Sequence, residues 1–124
     1  MNVRGRALDH IGLISSDMER DVRFYCEELG FRVTGSFGPI KFIQNGSTAY
    51  EILPGRNLPE GTPSKLDHVS YVSGDIEADL EYVKSLGLEI LPPGVMDIPF
   101  WTNGCRCFKF RAPGGEVLEF DQIL

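Results

Sequence analysis

The sequence contains very little histidine, cysteine or tryptophan: its 124 residues include two histidines, three cysteines and one tryptophan. Three cysteines, an odd number, do not make a disulfide framework. No apolar run is long enough to span a membrane, and Met1–Ala7 is polar and basic, with no apolar run behind it to indicate a signal peptide. We therefore expect a cytoplasmic protein that makes no membrane contact.

Positive charge is also scarce. Lysine and arginine number 12 against 18 aspartates and glutamates, which gives a formal net charge of −6. Because phosphate binding needs a dense positive surface, we expect no nucleic-acid partner. A hydrophobic fraction of 42% and a charged fraction of 24% are ordinary for a soluble protein. The length allows a substantial core, so we expect a single domain over residues 1–124.

What the chain does have is an internal repeat. Residues 8–21 and 66–79 agree at seven of fourteen positions when the second segment is shifted by 58 (68 − 10). A fold built from two copies of one unit brings equivalent positions together, so its two histidines are well placed to share a ligand. The identical pairs are Leu8/Leu66, Asp9/Asp67, His10/His68, Ser15/Ser73, Asp17/Asp75, Glu19/Glu77 and Asp21/Asp79.

Each copy has the pattern of a β-α-β-β-β module. Asp17 and Asp75 are suited to cap a helix, and the apolar residues that follow recur every three to four positions. Gly30 and Gly87 stand where each helix should end. The modules span about 7–54 and 66–122. The predicted strands are 9–15, 31–34, 41–44 and 49–53 in the first module, and 67–73, 88–91, 107–111 and 117–121 in the second.

A long loop, Pro92–Gly104, interrupts only the second module. Its apolar residues have two interpretations that the sequence leaves open. They can line the mouth of a pocket, or the loop can pack against the edge of the sheet. These residues are Met96, Ile98, Phe100 and Trp101.

Four polar residues form the candidate site. Glu51 and Glu119 each lie between apolar neighbours in the last strand of a module, so strand alternation turns them away from the helix. His10 and His68 lie on the same face in the first strands. A single strand histidine is usually a half-buried residue, and a single strand glutamate is usually solvated. The joint occurrence at equivalent places of one repeat favours a shared metal site, because a buried carboxylate needs water or a cation.

Three segments resemble the vicinal oxygen chelate superfamily, which includes glyoxalase I, methylmalonyl-CoA epimerase, extradiol dioxygenases and antibiotic-resistance proteins. They are LDHIGL, FYCEELGF and APGGEVLEF, and the likeness runs from about Leu8 to Asp121. The resemblance implies an α+β fold in which two tandem βαβββ modules form a cupped mixed sheet, with the helices on its outer face. It also implies one divalent metal ion per site.

The resemblance carries over to individual residues. His10, Glu51, His68 and Glu119 match the four metal ligands, and this set is the glyoxalase I pattern. Epimerase relatives often have glutamine where Glu51 stands. Zn²⁺, Ni²⁺, Co²⁺ and Mn²⁺ all suit such ligands.

The implied activity is that of a lyase or isomerase, lactoylglutathione-lyase-like or epimerase-like. Its substrate would be a small α-oxygenated carbonyl compound that reacts through a metal-bound enediolate or enolate. Glu119 would be the catalytic base, with Glu51 as the second choice. The alternatives are a ligand-sequestering protein of the antibiotic-resistance type and an Fe(II) dioxygenase. A requirement for glutathione or CoA stays open.

The resemblance also implies a homodimer, because an open sheet edge invites pairing. Some family members build each metal site from the first module of one chain and the second module of the other. Whether that holds here is open.

The second module also holds two cysteines and three cations with open roles. Cys105 and Cys107 share a strand face, either as a soft metal site or, the preferred interpretation, as half-buried strand residues. Arg106, Lys109 and Arg111 either steer an anionic substrate or are ordinary solvated residues, and the net charge favours the latter.

Overall fold

The computed structural model describes residues 5–124. Residues 1–4, part of the segment examined for a signal peptide, lie outside the described residues. The chain divides into two compact units. One comprises residues 10–67, and the other comprises residues 68–124 together with residues 5–9.

The first module contains one helix and four strands. Its strands are hydrogen-bonded in the order β2-β3-β4-β1, with β1 parallel to β4 and the other pairs antiparallel. On the helix side, the rings of Tyr25, Phe31 and Tyr50 meet edge-on or tilted, with centroids 5.1–5.7 Å apart. The buried Ile43 and Ile52 lie on the same sheet face as Tyr50. The elements are β1 (Leu8–Ser15), α1 (Met18–Leu29), β2 (Arg32–Phe37), β3 (Ile40–Asn45) and β4 (Thr48–Pro54).

The second module repeats this arrangement. Its strands are ordered β5-β8-β7-β6, with β5 parallel to β8. The elements are β5 (Lys65–Val72), α2 (Ile76–Ser85), β6 (Met96–Ile98), β7 (Cys105–Arg111) and β8 (Val117–Ile123). A buried cluster joins helix to strands, and it consists of Ile76, Val83, Phe108, Phe110 and Phe120. The predicted α+β class with two tandem βαβββ modules is therefore confirmed.

Much of the sequence repeat is explained at the start of each helix. In both modules a serine hydroxyl donates to an aspartate in the helix, at 2.5 Å in the first and 2.6 Å in the second. The same hydroxyl accepts from the backbone N–H of the capping aspartate, whose own carboxylate caps the helix. The serine, cap and helix residues are Ser15, Asp17 and Asp21 in the first module, and Ser73, Asp75 and Asp79 in the second.

One predicted strand was wrong. Residues 88–91 make only an isolated bridge to β7, between Ile90 and Phe110. The pairing stops because Pro92 and Pro93 follow, and proline has no N–H to donate to a neighbouring strand. The strand that follows helix α2 is instead β6, within the segment predicted to be a loop. The apolar residues of that segment therefore include an edge strand, as the sheet-edge interpretation predicted.

Neither helix is long enough to cross a bilayer, at 12 and 10 residues, and no helix in the described part of the chain could span a membrane. That both units act as one domain stays a prediction.

Candidate functional site

The first module brings His10 and Glu51 together. Strand β1 runs parallel to β4 with Gly12 beside Glu51, and His10 lies two residues before Gly12 on the same face. The His10 Nε2 atom is 3.5 Å from a Glu51 carboxylate oxygen. Both side chains are buried, with 2% and 8% of their surface exposed. The strand register alone therefore places this histidine and this carboxylate side by side.

The two residues beside Glu51 on the neighbouring strands carry no polar side chain. Phe42 in β3 lies directly opposite Glu51, and the His10 ring meets the Phe42 ring edge-on with centroids 5.3 Å apart. Gly12, on the other side of Glu51, has no side chain. A carboxylate buried among such neighbours is costly unless a cation or hydrogen-bond donor compensates it.

The second module brings His68 and Glu119 together in the same way. Strand β5 runs parallel to β8 with Ser70 beside Glu119, and His68 lies two residues earlier on the same face. The His68 Nε2 atom is 3.8 Å from a Glu119 carboxylate oxygen, and both side chains are buried. The neighbouring Phe120 faces the helix as part of the core. The two modules thus each contribute one buried histidine–glutamate pair.

Lys109 lies beside the second histidine–glutamate pair, although the net charge of the chain favours an ordinary solvated strand residue at this position. It lies opposite Glu119 on β7, and its ammonium nitrogen is 3.8 Å from the second carboxylate oxygen of Glu119. A signal for this contact exists in the sequence. A hairpin closed by the turn at Pro113-Gly114-Gly115 places Lys109 across from Glu119 once the register of the turn is known.

These residues have the donor atoms that a divalent metal ion requires. Each pair offers one imidazole nitrogen and carboxylate oxygens, the donors that borderline ions such as Zn²⁺ and Mn²⁺ accept. Each pair also lies on the strand face away from its own helix, where burial removes competing water. A metal would supply the positive charge that the two buried carboxylates require.

The model of the glyoxalase/bleomycin resistance protein/dioxygenase superfamily matches residues 7–120. The chain belongs to this superfamily.

One protein of similar sequence and two solved structures are similar to this chain over most of its length. An uncharacterized protein, YwbC, from Bacillus subtilis is 26% identical over 94% of this chain and 98% of its own. The crystal structure of a hypothetical protein from Bacillus halodurans C-125 has a TM-score of 0.78 at 20% identity, covering 98% of this chain and 96% of that one. A Mn(II)-bound glyoxalase from Novosphingobium aromaticivorans has a TM-score of 0.73 at 26% identity, covering 93% of this chain but 37% of that one.

The two cysteines of strand β7 are suited to packing rather than to metal binding. Cys105 and Cys107 are both buried. Burial, together with nearby carboxylates, raises the pKa of the Cys105 thiol to about 12 and raises the pKa of Cys107 as well. Since the thiolate is the form that binds metals, these protonated thiols favour the interpretation of structural strand residues.

Ser70 is the second residue beside Glu119 that the sequence did not predict. Its side chain is fully buried, and its hydroxyl has no hydrogen-bond partner among residues 5–124. A buried hydroxyl in that position costs about 1–3 kcal/mol of stability. The equivalent position of the first module is Gly12, so the βαβββ module does not need a hydroxyl there.

Replacing Ser70 with alanine should therefore leave the free energy of unfolding unchanged or raise it by up to about 1–3 kcal/mol. No hydrogen bond within the described chain is lost, and alanine fills nearly the same space. Urea unfolding measures this. Ser73→Ala is the matched control, because that hydroxyl donates to Asp79 and accepts from Asp75, and its loss should destabilise the protein. A clear loss of stability in Ser70→Ala would contradict the expectation.

Proposed function

We propose that the protein is a metal-dependent lyase or isomerase of the glyoxalase type that acts on a small α-oxygenated carbonyl compound. The observation that supports this most strongly is the presence of one buried histidine–glutamate pair in each of two repeated modules. The likeness to a Mn(II)-bound glyoxalase at 26% identity is consistent with it.

In this proposal, the ligand set consists of His10, Glu51, His68 and Glu119, which together hold one divalent ion. When bound, the ion supplies Lewis-acid stabilisation of negative charge on two adjacent substrate oxygens. Glu119 accepts the proton that leaves the neighbouring carbon. Its burial limits bulk water around the reacting carbon. The accepted proton exchanges with solvent before a proton returns to the substrate, so deuterium incorporation reports this step.

The surroundings of the two carboxylates support Glu119 as the base. A buried carboxylate that accepts a proton from the substrate would need a polar neighbour besides the metal ion. Glu119 has Ser70 on one side and Lys109 on the other. Glu51 has Gly12 and Phe42, which offer no polar side-chain atom. Glu51 therefore acts as a ligand throughout.

Metal analysis of protein purified without added metal tests the proposal. We expect about one bound divalent ion per pair of modules, and metal-dependent exchange of deuterium from solvent into a carbon next to the carbonyl of small α-hydroxy ketones. No bound ion, together with no gain on reconstitution, would favour a ligand-sequestering protein. Retention of iron, with oxygen consumption in place of exchange, would favour a dioxygenase.

We further propose a homodimer. Strands β2 and β6 each have a neighbour on one side only among the described strands of their modules, and such edges invite pairing. Two arrangements are consistent with this: a metal site within one chain, or a site shared between the first module of one chain and the second module of its partner.

A further inference from the structure

Strand β7 carries three cationic residues, and their contacts differ. Arg106 forms ion pairs with Asp97 at 2.8 Å and Glu77 at 2.9 Å, on the face towards the helix. Arg111 forms an ion pair with Glu89 and donates to a backbone carbonyl of the adjacent turn. Lys109 differs from both, because it faces the buried Glu119 and lies 3.8 Å from its carboxylate.

The ammonium group of Lys109 keeps donors available. A lysine carries three N–H donors, and 3.8 Å is longer than a hydrogen bond, so Glu119 attracts the charge without using those donors. The Lys109 side chain is 31% exposed, whereas that of Glu119 is 7% exposed. A group arriving from solvent therefore meets the ammonium group before it reaches the buried carboxylate.

The repeat shows that this lysine is not part of the module's own framework. The position opposite Glu51 in the first module is Phe42, an apolar residue, and Glu51 is nevertheless buried beside its histidine. A βαβββ module can therefore hold its buried histidine–glutamate pair without a cation on the neighbouring strand. The two buried carboxylates therefore differ in their cross-strand neighbour, which is Phe42 for Glu51 and Lys109 for Glu119.

We propose that Lys109 binds a carboxylate group on the reacting carbon of the substrate, so that the substrate is a small carboxylate-bearing α-oxygenated carbonyl compound. This inference rests on the proposed function. A single ammonium group beside a carboxylate residue suits a monoanion, whereas a phosphate dianion is usually bound by several donors or an arginine fork. The position next to Glu119 also stabilises negative charge that develops when the proton leaves that carbon.

Two hydroxy acids of similar shape test the inference by binding, without turnover. Tartronate and lactate share a hydroxyl and a carboxylate that can approach the metal. They differ in one substituent of the central carbon, a second carboxylate in tartronate and a methyl group in lactate. Isothermal titration of the metal-loaded protein should show tartronate bound about ten-fold or more tightly than lactate. Because the second carboxylate of tartronate can also bind the metal, Lys109→Met should reduce this preference by about ten-fold and leave lactate affinity unchanged.

Two further variants and a metal assay make the result specific. Arg111→Met, on the same strand, should keep the preference, and Lys109→Arg should restore part of it. The metal content of each variant is measured alongside. A Lys109→Met protein that retains metal and prefers tartronate as strongly as the native protein does would overturn the inference. Loss of the metal in this variant would also overturn it, since Lys109 would then serve to hold Glu119. Absence of metal from the native protein would instead count against the proposed function.

Discussion

Replacing Glu119 with glutamine should slow proton exchange at the substrate carbon by about 10²–10⁴-fold, the contribution typical of a general base. Glutamine keeps a neutral oxygen ligand of the same size, so metal binding should weaken only in part. The large effect follows from the loss of the proton acceptor. Solvent-deuterium exchange, measured on fully metal-loaded protein, separates the chemical step from the loss of metal.

Glu51→Gln is the matched control for this prediction. It makes the same chemical change at the equivalent position of the repeat, where the neighbours are Gly12 and Phe42. We expect a milder effect, because Glu51 is assigned to metal binding alone. If Glu119→Gln exchanged at the native rate while Glu51→Gln was inactive, the base would lie in the first module and the assignment would be wrong.

Replacing either histidine with alanine should remove the metal itself. Each substitution deletes one ligand and removes the imidazole that lies beside the buried glutamate of that module. Metal content after dialysis is the direct measurement, and loss of exchange should accompany it. Cys107→Ala is the control, because its buried thiol has a raised pKa and should not contribute to binding. A His68→Ala protein that keeps its full metal content would contradict the ligand assignment.

Mixing the two histidine variants also distinguishes the two arrangements of the dimer. If each site combines the first module of one chain with the second module of its partner, a mixed dimer of His10→Ala and His68→Ala has one intact site and one doubly altered site. Coexpression with different tags should then restore half of the metal content in the purified mixed dimer. If each site lies within one chain, the mixed dimer should bind no metal.

The sequence by itself determined the modular architecture and the position of its two helices. The repeat at an offset of 58 (68 − 10) located both copies. The cap and glycine positions located both helices, because these signals are local: Asp17 and Asp75 each cap a helix, and Gly30 adopts the left-handed conformation after the first. Alternation along the strands was enough to place Glu51 and Glu119 on the face away from the helix, since it depends only on the two-residue period of a strand.

Only the tertiary structure decided which residues stand next to the two carboxylates. Lys109 meets Glu119 through the hairpin of β7 and β8. Ser70 meets it through the pairing of β8 with β5, which is distant along the chain. A shift of one residue in either register would have turned the corresponding side chain, Ser70 or Lys109, to the other face. The same dependence on long-range pairing explains the error at residues 88–91, where a strand-like pattern ends at two prolines and β6 occupies the edge beside β7. Local preferences specify elements, whereas hydrogen bonding between distant segments specifies neighbours, and neighbours decide the chemistry of a buried carboxylate.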